Sequence, residues 1–236
     1  MSDATPPPSW RNFHGRRHGK TLRPTQRRHV DELLPRLAVP GVDPLEHPVR
    51  KELDLDALFG GSREVWLEVG TGGGEHIADR ALAHPEFGLI GCEPYINGVA
   101  MLLGRIERMG IGNIRIHPGD ARDLIDLLPD GALGRVYVLY PDPWPKSRHH
   151  KRRFICPENL TALARVMAPG SELRLATDIA EYVEHSLEAV GAVDDFSTAA
   201  SAADWHEPWE GWKSTRYEAK ALREGRPPYY LIFKRR

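Results

Sequence analysis

The sequence predicts an α/β fold built on a mostly parallel sheet, and three observations carry that prediction. From residue 64 onward, apolar runs of four to six residues alternate with stretches of helical period. The turns after the early runs hold glycines and acids, the residue types of strand-to-helix connections at a ligand-binding sheet edge. The run Tyr-Tyr-Leu-Ile-Phe at 229–233 differs, because no helix is read before it; it is expected as a last antiparallel strand inserted into the sheet. Parallel strands need crossover connections, which take the form of right-handed βαβ units.

In chain order, residues 1–50 read as a polar arm rich in Pro and Arg, with its first ten residues expected to be disordered. Leu33, Leu34 and Leu37 suit a short helix or docking segment. Residues 51–236 read as the main domain. Val65-Trp66-Leu67 predicts the first strand, followed by a Gly-rich turn and a helix over Glu75–Ala83. A strand at 87–92 and a helix over Ile96–Met109 come next, then a strand over Ile114–His117 and a short helix at 121–128. The fourth strand is placed at 136–140. A helix at 158–167, a strand at 173–176 and a helix at 179–190 complete the alternation.

A chain of 236 residues can bury a sizeable core in one large domain, and 41% hydrophobic residues supply it. No run approaches eighteen apolar residues, and the start MSDATPPPSW lacks the apolar centre of a signal peptide, so no membrane partner is expected. Cys92 and Cys156 are too few for a disulfide framework or a zinc cluster, which suggests a reducing cytoplasm. The net charge of -1 conceals an uneven distribution. Residues 10–30 hold seven Arg and Lys with no acid, and residues 146–153 hold five more. The remainder carries 20 basic residues against 33 acidic ones. Basic segments set into an acidic body suit a localised site for a polyanion, whereas a solvated tail and loop would be the plain alternative.

The first strand runs into LEVGTGGGEH, residues 67–76. Gly70, Gly72 and Gly74 allow a tight turn and close approach of a ligand. A carboxylate stands at the end of each of the first four strands: Glu68, Glu93, Asp120 and Asp142. A dinucleotide fingerprint starting at Gly70 would need glycine at 75, where the chain has Glu75, a carboxylate at the place a pyrophosphate would occupy. The acids instead want hydroxyls, amines and positive charge. S-adenosylmethionine offers those groups and no phosphate, with Glu93 placed for the ribose hydroxyls, Asp120 for the adenine amine and Glu68 under the loop near the methionine end. Helix N-capping is the alternative role for such acids.

The fourth strand exits through PDPWPKSRHHKRR, residues 141–153. Pro141 and Pro143 fix φ on both sides of Asp142. Trp144 offers a flat face for a base or for core packing. The cations from Lys146 to Arg153 are donors for phosphates, which dominate nucleic-acid affinity. His149 and His150 have no third ligand at a suitable spacing, so no metal site is expected. Trp205, Trp209 and Trp212 suit packing better than stacking on RNA.

LEVGTGGGEH, CEPY at 92–95, PGDA at 118–121, PDPWPKSRHHKRR, ATD at 176–178 and STRYEAK at 214–220 occur in this order. Together they resemble the bacterial tRNA (guanine-N7-)-methyltransferase family, over about residues 10–236. The resemblance implies a Rossmann-like class I methyltransferase fold with seven strands, S-adenosylmethionine as cofactor and tRNA as partner. It implies that Glu68, Glu93, Asp120 and Asp142 bind cofactor, with Asp142 also catalytic. It implies substrate contacts from Lys146, Asp178, Thr215, Arg216, Tyr217 and Glu218, and RNA contacts from Arg148, His149, His150, Lys151, Arg152 and Arg153. Thr71-Gly72-Gly73 departs from relatives that carry an aromatic after the first glycine, and Tyr217 stands where Phe is frequent. Monomer and homodimer both stay open. A small-molecule methyltransferase would explain the cofactor end but not two basic segments, and a non-catalytic RNA-binding module would require lost acids.

Overall fold

The computed structural model describes residues 13–44, 46, 47, 49–199 and 205–236; the expectation for the first ten residues lies outside them. The elements are α1 (Pro24–Arg28), a π-helical turn (His29–Leu33), α2 (Leu34–Leu37), α3 (Leu55–Phe59), β1 (Val65–Val69), α4 (Glu75–Ala83), β2 (Gly88–Cys92), α5 (Ile96–Met109), β3 (Ile114–His117) and α6 (Ala121–Ile125). They continue with β4 (Leu133–Leu139), a 3₁₀ turn (Ser147–Arg152), α7 (Pro157–Val166), β5 (Met167–Thr177), α8 (Ala180–Gly191), β6 (Phe196–Thr198), α9 (Arg216–Arg223) and β7 (Tyr229–Arg235). The described strands form one seven-stranded sheet in the order β3-β2-β1-β4-β5-β7-β6. β1 pairs in parallel with β2 and β4, and β7 runs antiparallel to both β5 and β6. The expected inserted last strand is therefore observed.

Alternation along the strands sends side chains to two buried faces, as strands covered by helices on both sides require. Leu67, Ile90, Val136, Val138, Leu173 and Phe233 enter one core, shared with Leu160 and Leu163 of α7 and Val183 of α8. Trp66, Leu89, Ile114, Ile116 and Tyr137 enter the other, shared with Ile77 of α4 and Val99, Leu102, Leu103 and Ile106 of α5. α5 ends at Gly110, whose φ of +64° closes the helix in the left-handed conformation that glycine adopts freely.

Three differences from the sequence reading have physical reasons. Residues 24–42 fold onto the body instead of trailing as an arm. Val30, Leu33, Leu34 and Leu37 make a stripe at helical spacing that packs on the α4 and α5 face. Arg28 and His29 both reach Glu107, at 2.8 and 2.9 Å, and the Val39 amide donates to the Ile116 carbonyl at 2.9 Å. Second, β6 is three residues long, too short to show a period. Third, a helix does precede the last strand. α9 buries only Glu218 and Ala221, so its apolar stripe is nearly absent; the signal that remains is Thr215 capping it three residues before Glu218. Among the described residues no helix is long and apolar enough to cross a membrane, and no group of three His, Cys, Asp or Glu could hold a metal ion.

Candidate active site

The carboxyl ends of β1 to β4 open on a cleft of about 870 Å³ lined by Gly70, Glu93, Asp120, Asp142, Trp144, Lys151, Arg152 and Tyr217. Val69, Cys92, Ala121, Val138 and Leu139 supply apolar lining, and Phe13 to Arg16 pass along its wall. Four expected cofactor residues thus meet in one space. Glu68 does not line it. That side chain is buried against α4, 2.5 Å from His76 Nδ1, and borders a small adjoining space shared with Gly70, Tyr140, Thr215 and Tyr217.

The glycine loop is shaped mainly by backbone bonds. The amides of Gly70 and Thr71 donate to the Cys92 carbonyl, at 2.9 and 3.1 Å, and the Gly72 amide donates to Glu93 Oε2 at 2.5 Å. Gly70, Gly72 and Gly74 have φ of +77°, +55° and +75°, a region closed to most side chains. A Cβ on Gly70 would meet no protein atom within 4 Å, so this residue opens onto the cleft. Arg105 braces the loop from α5 through the Gly73 carbonyl and Glu75 Oε1, both at 2.8 Å. Glu75 thus occupies the start of α4 as a paired carboxylate. Burial raises the Glu93 carboxyl above its ordinary value, against the opposing pull of the Tyr95 and Gly72 amides. Asp120 caps α6 through the Arg122 amide at 3.0 Å and pairs with the Arg122 guanidinium. It therefore has the capping role as well as a place on the cleft wall.

At the other end, the strand-four exit departs from ordinary backbone. Tyr140 and Trp144 have φ of +50° and +43°, and they are the described non-glycine residues with positive φ. Such torsions cost about 1–3 kcal/mol each and persist where surroundings over-determine them. Between them lie Pro141, Asp142 and Pro143. Asp142 keeps solvent contact at the cleft mouth, while the protein packed around it pushes its carboxyl pKa up by desolvation.

The basic run following this exit divides three ways. Lys146, Arg148 and Lys151 are exposed. Arg152 lies 4.9 Å from the Trp144 ring centroid and His149 meets the same ring edge-on, so in this structure Trp144 packs within the turn. Arg153 and His150 turn inward. Arg153, expected to contact RNA, is 2% exposed; it donates to the Pro143 carbonyl and to Glu181 Oε1, both at 2.8 Å. Its guanidinium faces the protein and not solvent, which corrects the expected outward RNA contact; its Nη1 is buried with no hydrogen-bond partner among the described residues. His150 Nε2 lies 3.1 Å from the same Glu181 oxygen.

The last wall is α9 with the loop before it. Thr215 Oγ1 accepts the Glu218 amide at 3.2 Å, and Tyr217 is 46% exposed beside Gly72. The Arg216 guanidinium lies 5.1 Å from the Tyr217 ring. Glu218 is buried, not a surface charge: its Oε2 accepts the Trp212 indole N–H at 2.8 Å and the Tyr140 hydroxyl at 3.0 Å. Burial first, and Glu218 second, push the Tyr140 phenol pKa up. Trp209 and Trp212 pack edge to face with each other and with Tyr230, as packing residues do. Asp178 pairs with Arg226 Nε at 2.6 Å and does not cap α8.

A family described as "Putative methyltransferase" matches residues 62–231. A Ruegeria pomeroyi protein named tRNA (guanine-N(7)-)-methyltransferase is 56% identical over 235 residues, covering 100% of this chain and 99% of its own. A Paracoccus denitrificans protein of the same name is 54% identical over 236 residues, covering 100% of both chains. Among solved structures, an rRNA methylase from Streptococcus thermophilus aligns with a TM-score of 0.50 at 12% identity, over 73% of this chain and 87% of that one. An antibiotic-related methyltransferase aligns at 0.51 and 15% identity, over 85% and 100%. These two likenesses concern the fold, and it is the Rossmann-like class I methyltransferase fold that the motifs implied.

Proposed function

The chain belongs to the tRNA (guanine-N(7)-)-methyltransferase family, and from that premise we propose how its residues carry the reaction. It methylates N7 of a guanine in tRNA, with S-adenosylmethionine as donor and the variable loop as the place of the target base. Residues 51–236 are the catalytic body, the exposed Arg16, Arg17, Lys20 and Arg23 of the N-terminal segment meet RNA, and the cytoplasm is the compartment. The observation that supports this best is the convergence of Gly70, Glu93, Asp120 and Asp142 on one cleft with Lys151 and Arg152 at its wall.

The cleft fits the donor chemically. Glu93 accepts from the ribose hydroxyls and Asp120 from the adenine amine; each carboxylate has about four lone-pair sites, so its existing bonds leave capacity. Gly70 lets the ligand approach backbone, Gly72 and Gly74 give the loop its turn against Tyr217 and Leu102, and Glu68, held by His76, lies under the loop toward the methionine end. When bound, the cofactor supplies an electrophilic methyl group on a sulfonium. Guanine N7 has an in-plane lone pair and no proton, so no strong base is needed and positioning supplies much of the acceleration. The purine gains positive charge as the bond forms, and the Asp142 carboxylate at the cleft mouth stabilises that charge.

Lys146, Arg148, His149, Lys151 and Arg152 form the rim that receives the RNA backbone, while His150 turns inward to Glu181. Tyr217, exposed above Gly72, and its neighbours Thr215 and Arg216 receive the base. Asp178 and Glu218, held by Arg226 and by Tyr140 and Trp212, supply negative charge that favours the N1–H and N2–H2 donors of guanine. The base must leave its tertiary contacts to reach the cleft, as with other base-modifying enzymes.

The test is transfer of labelled methyl to unmodified tRNA, then reduction and aniline cleavage, which cuts at 7-methylguanine. One cut in the variable loop is expected, and free guanosine should be a very poor acceptor. Label without a cut, or a cut elsewhere, overturns the proposal.

A further inference from the structure

Of the carboxylates discussed above, Asp142 alone has no hydrogen-bond donor on it among the described residues. Glu68 has His76, Glu93 has two amides, Asp120 has Arg122, Asp178 has Arg226, and Glu218 has Tyr140 and Trp212. Partial desolvation by the surrounding protein is the single influence shifting the Asp142 carboxyl. Its direction is therefore set by the backbone of Pro141-Asp142-Pro143. The prolines fix φ at 141 and 143 but donate no hydrogen bond, and β4 ends at Leu139, paired with Ala176. A segment built this way needs ties from elsewhere to stay in place.

Each flank has one. Upstream, Tyr140 holds its left-handed torsion between two bonds: its amide donates to the Ala176 carbonyl at 2.7 Å, and its hydroxyl donates to Glu218 at 3.0 Å. Glu218 is itself fixed by Trp212 and by the capped start of α9. Downstream, the Pro143 carbonyl accepts from Arg153 Nε at 2.8 Å. Arg153 is in turn held by Glu181 and lies 5.5 Å from the Tyr182 ring centroid, both on α8. A plain loop would need neither a bulky residue at positive φ nor a buried guanidinium.

We infer that Tyr140 and Arg153 are positioning residues for methyl transfer: two side-chain clamps, one on each flank, that aim Asp142 into the cleft. The inference rests on Asp142 being at the reaction centre. Arg153 then acts through a carbonyl, not through phosphate, although it closes a run of exposed cations.

The experiment uses the full chain with tRNA and S-adenosylmethionine. Tyr140→Phe keeps the ring and removes the hydroxyl; Arg153→Met keeps the stem and removes the donors. Each should lower kcat by roughly 10- to 100-fold, the scale of a misplacement of about 1 Å. The KM for tRNA and the affinity for S-adenosylhomocysteine should stay unchanged. Arg153→Met should also keep the wild-type salt dependence of tRNA binding. Combined with Asp142→Asn, neither change should lower the residual rate further, because its effect passes through that carboxylate. If a variant does not fold by thermal melt, Trp212→Phe, which removes the donor fixing Glu218, and Glu181→Gln loosen the same clamps from their far ends and should show smaller kcat losses of the same kind.

Wild-type kcat in both clamp variants, with Asp142→Asn inactive, overturns the clamps and leaves Asp142 in place. Wild-type kcat in Asp142→Asn overturns the assignment beneath them. Weaker tRNA binding with a flatter salt slope in Arg153→Met returns that residue to RNA contact and overturns its clamp.

Discussion

The two ends of the cleft are built by different means. At the cofactor end, the glycine loop is held chiefly by backbone: amides of Gly70, Thr71 and Gly72 meet a carbonyl and a carboxylate at the end of the adjacent strand. At the acceptor end, long side chains cross between elements far apart in sequence, Tyr140 to Glu218 and Arg153 to Glu181. The difference follows from what each end must do. A loop that lets a ligand approach backbone needs small residues and short bonds. A carboxylate that must sit free at a cleft mouth, with no donor on it, can be aimed only by what holds its neighbours.

The largest expected effect lies at the acceptor end. Asp142→Asn should lower kcat/KM by roughly 10²- to 10³-fold, the scale of removing one preorganised electrostatic partner, while the affinity for S-adenosylhomocysteine changes little. The same variant should be more stable than the parent at neutral pH. Asp142 has a folded pKa above its ordinary 3.8, so the folded chain binds this proton more tightly than the unfolded chain does. Folding is then favoured by acid, and stability is lost as pH rises from 3.8 through the folded value. The gain in Tm from Asn should be present at pH 7 and vanish as pH falls through that window. A Tm difference independent of pH would contradict the desolvation of this carboxylate by the protein packed around it.

Glu93→Ala probes the cofactor end, where the expected loss is in binding. Removing a carboxylate that holds the Gly72 amide and faces the ribose should weaken S-adenosylhomocysteine by roughly 10- to 100-fold in calorimetry, as for hydrogen bonds to a charged group worth about 1.5–3 kcal/mol. If kcat at saturating cofactor fell as far as in Asp142→Asn, the division of labour between the two ends would not hold.

The smallest effect belongs to the rim. Replacing the exposed Lys146, Arg148 and Lys151 with alanine should flatten the log-log salt dependence of tRNA binding by up to about 0.7–0.9 per lost phosphate contact. Cofactor affinity should not change. An unaltered slope would make the outward cations a solvated turn.

The same contrast explains what could be read from the sequence. The glycine loop and the acids at 93, 120 and 142, which meet on the cleft, are legible because each stands just past its own apolar run, where local order alone fixes its place, whereas Glu68 points away to His76. Glu218 and Arg153 are not. One lies in a polar stretch and the other ends a run of cations, so both look exposed; their burial comes from partners 78 and 28 residues away. α9 was hidden for a related reason, since its buried face is mainly one glutamate and one alanine. The folded segment at 24–42 carried a readable stripe beginning at Val30, but three leucines without Val30 suggest only a short docking helix.

The insertion of β7 between β5 and β6 has a consequence for how the chain reaches this state. β6 pairs with β7 and with no other described strand, and β7 follows it in sequence by about thirty residues. Until Tyr229–Arg235 has been made and has entered the sheet, β5 presents an open, apolar edge and β6 has nothing to pair with. An unpaired edge of that kind is a template for strands of other molecules. The hazard is therefore confined in time, to the interval after β5 has formed and before the final strand closes over it, and a chaperone that covers hydrophobic strands would act on this protein within that interval.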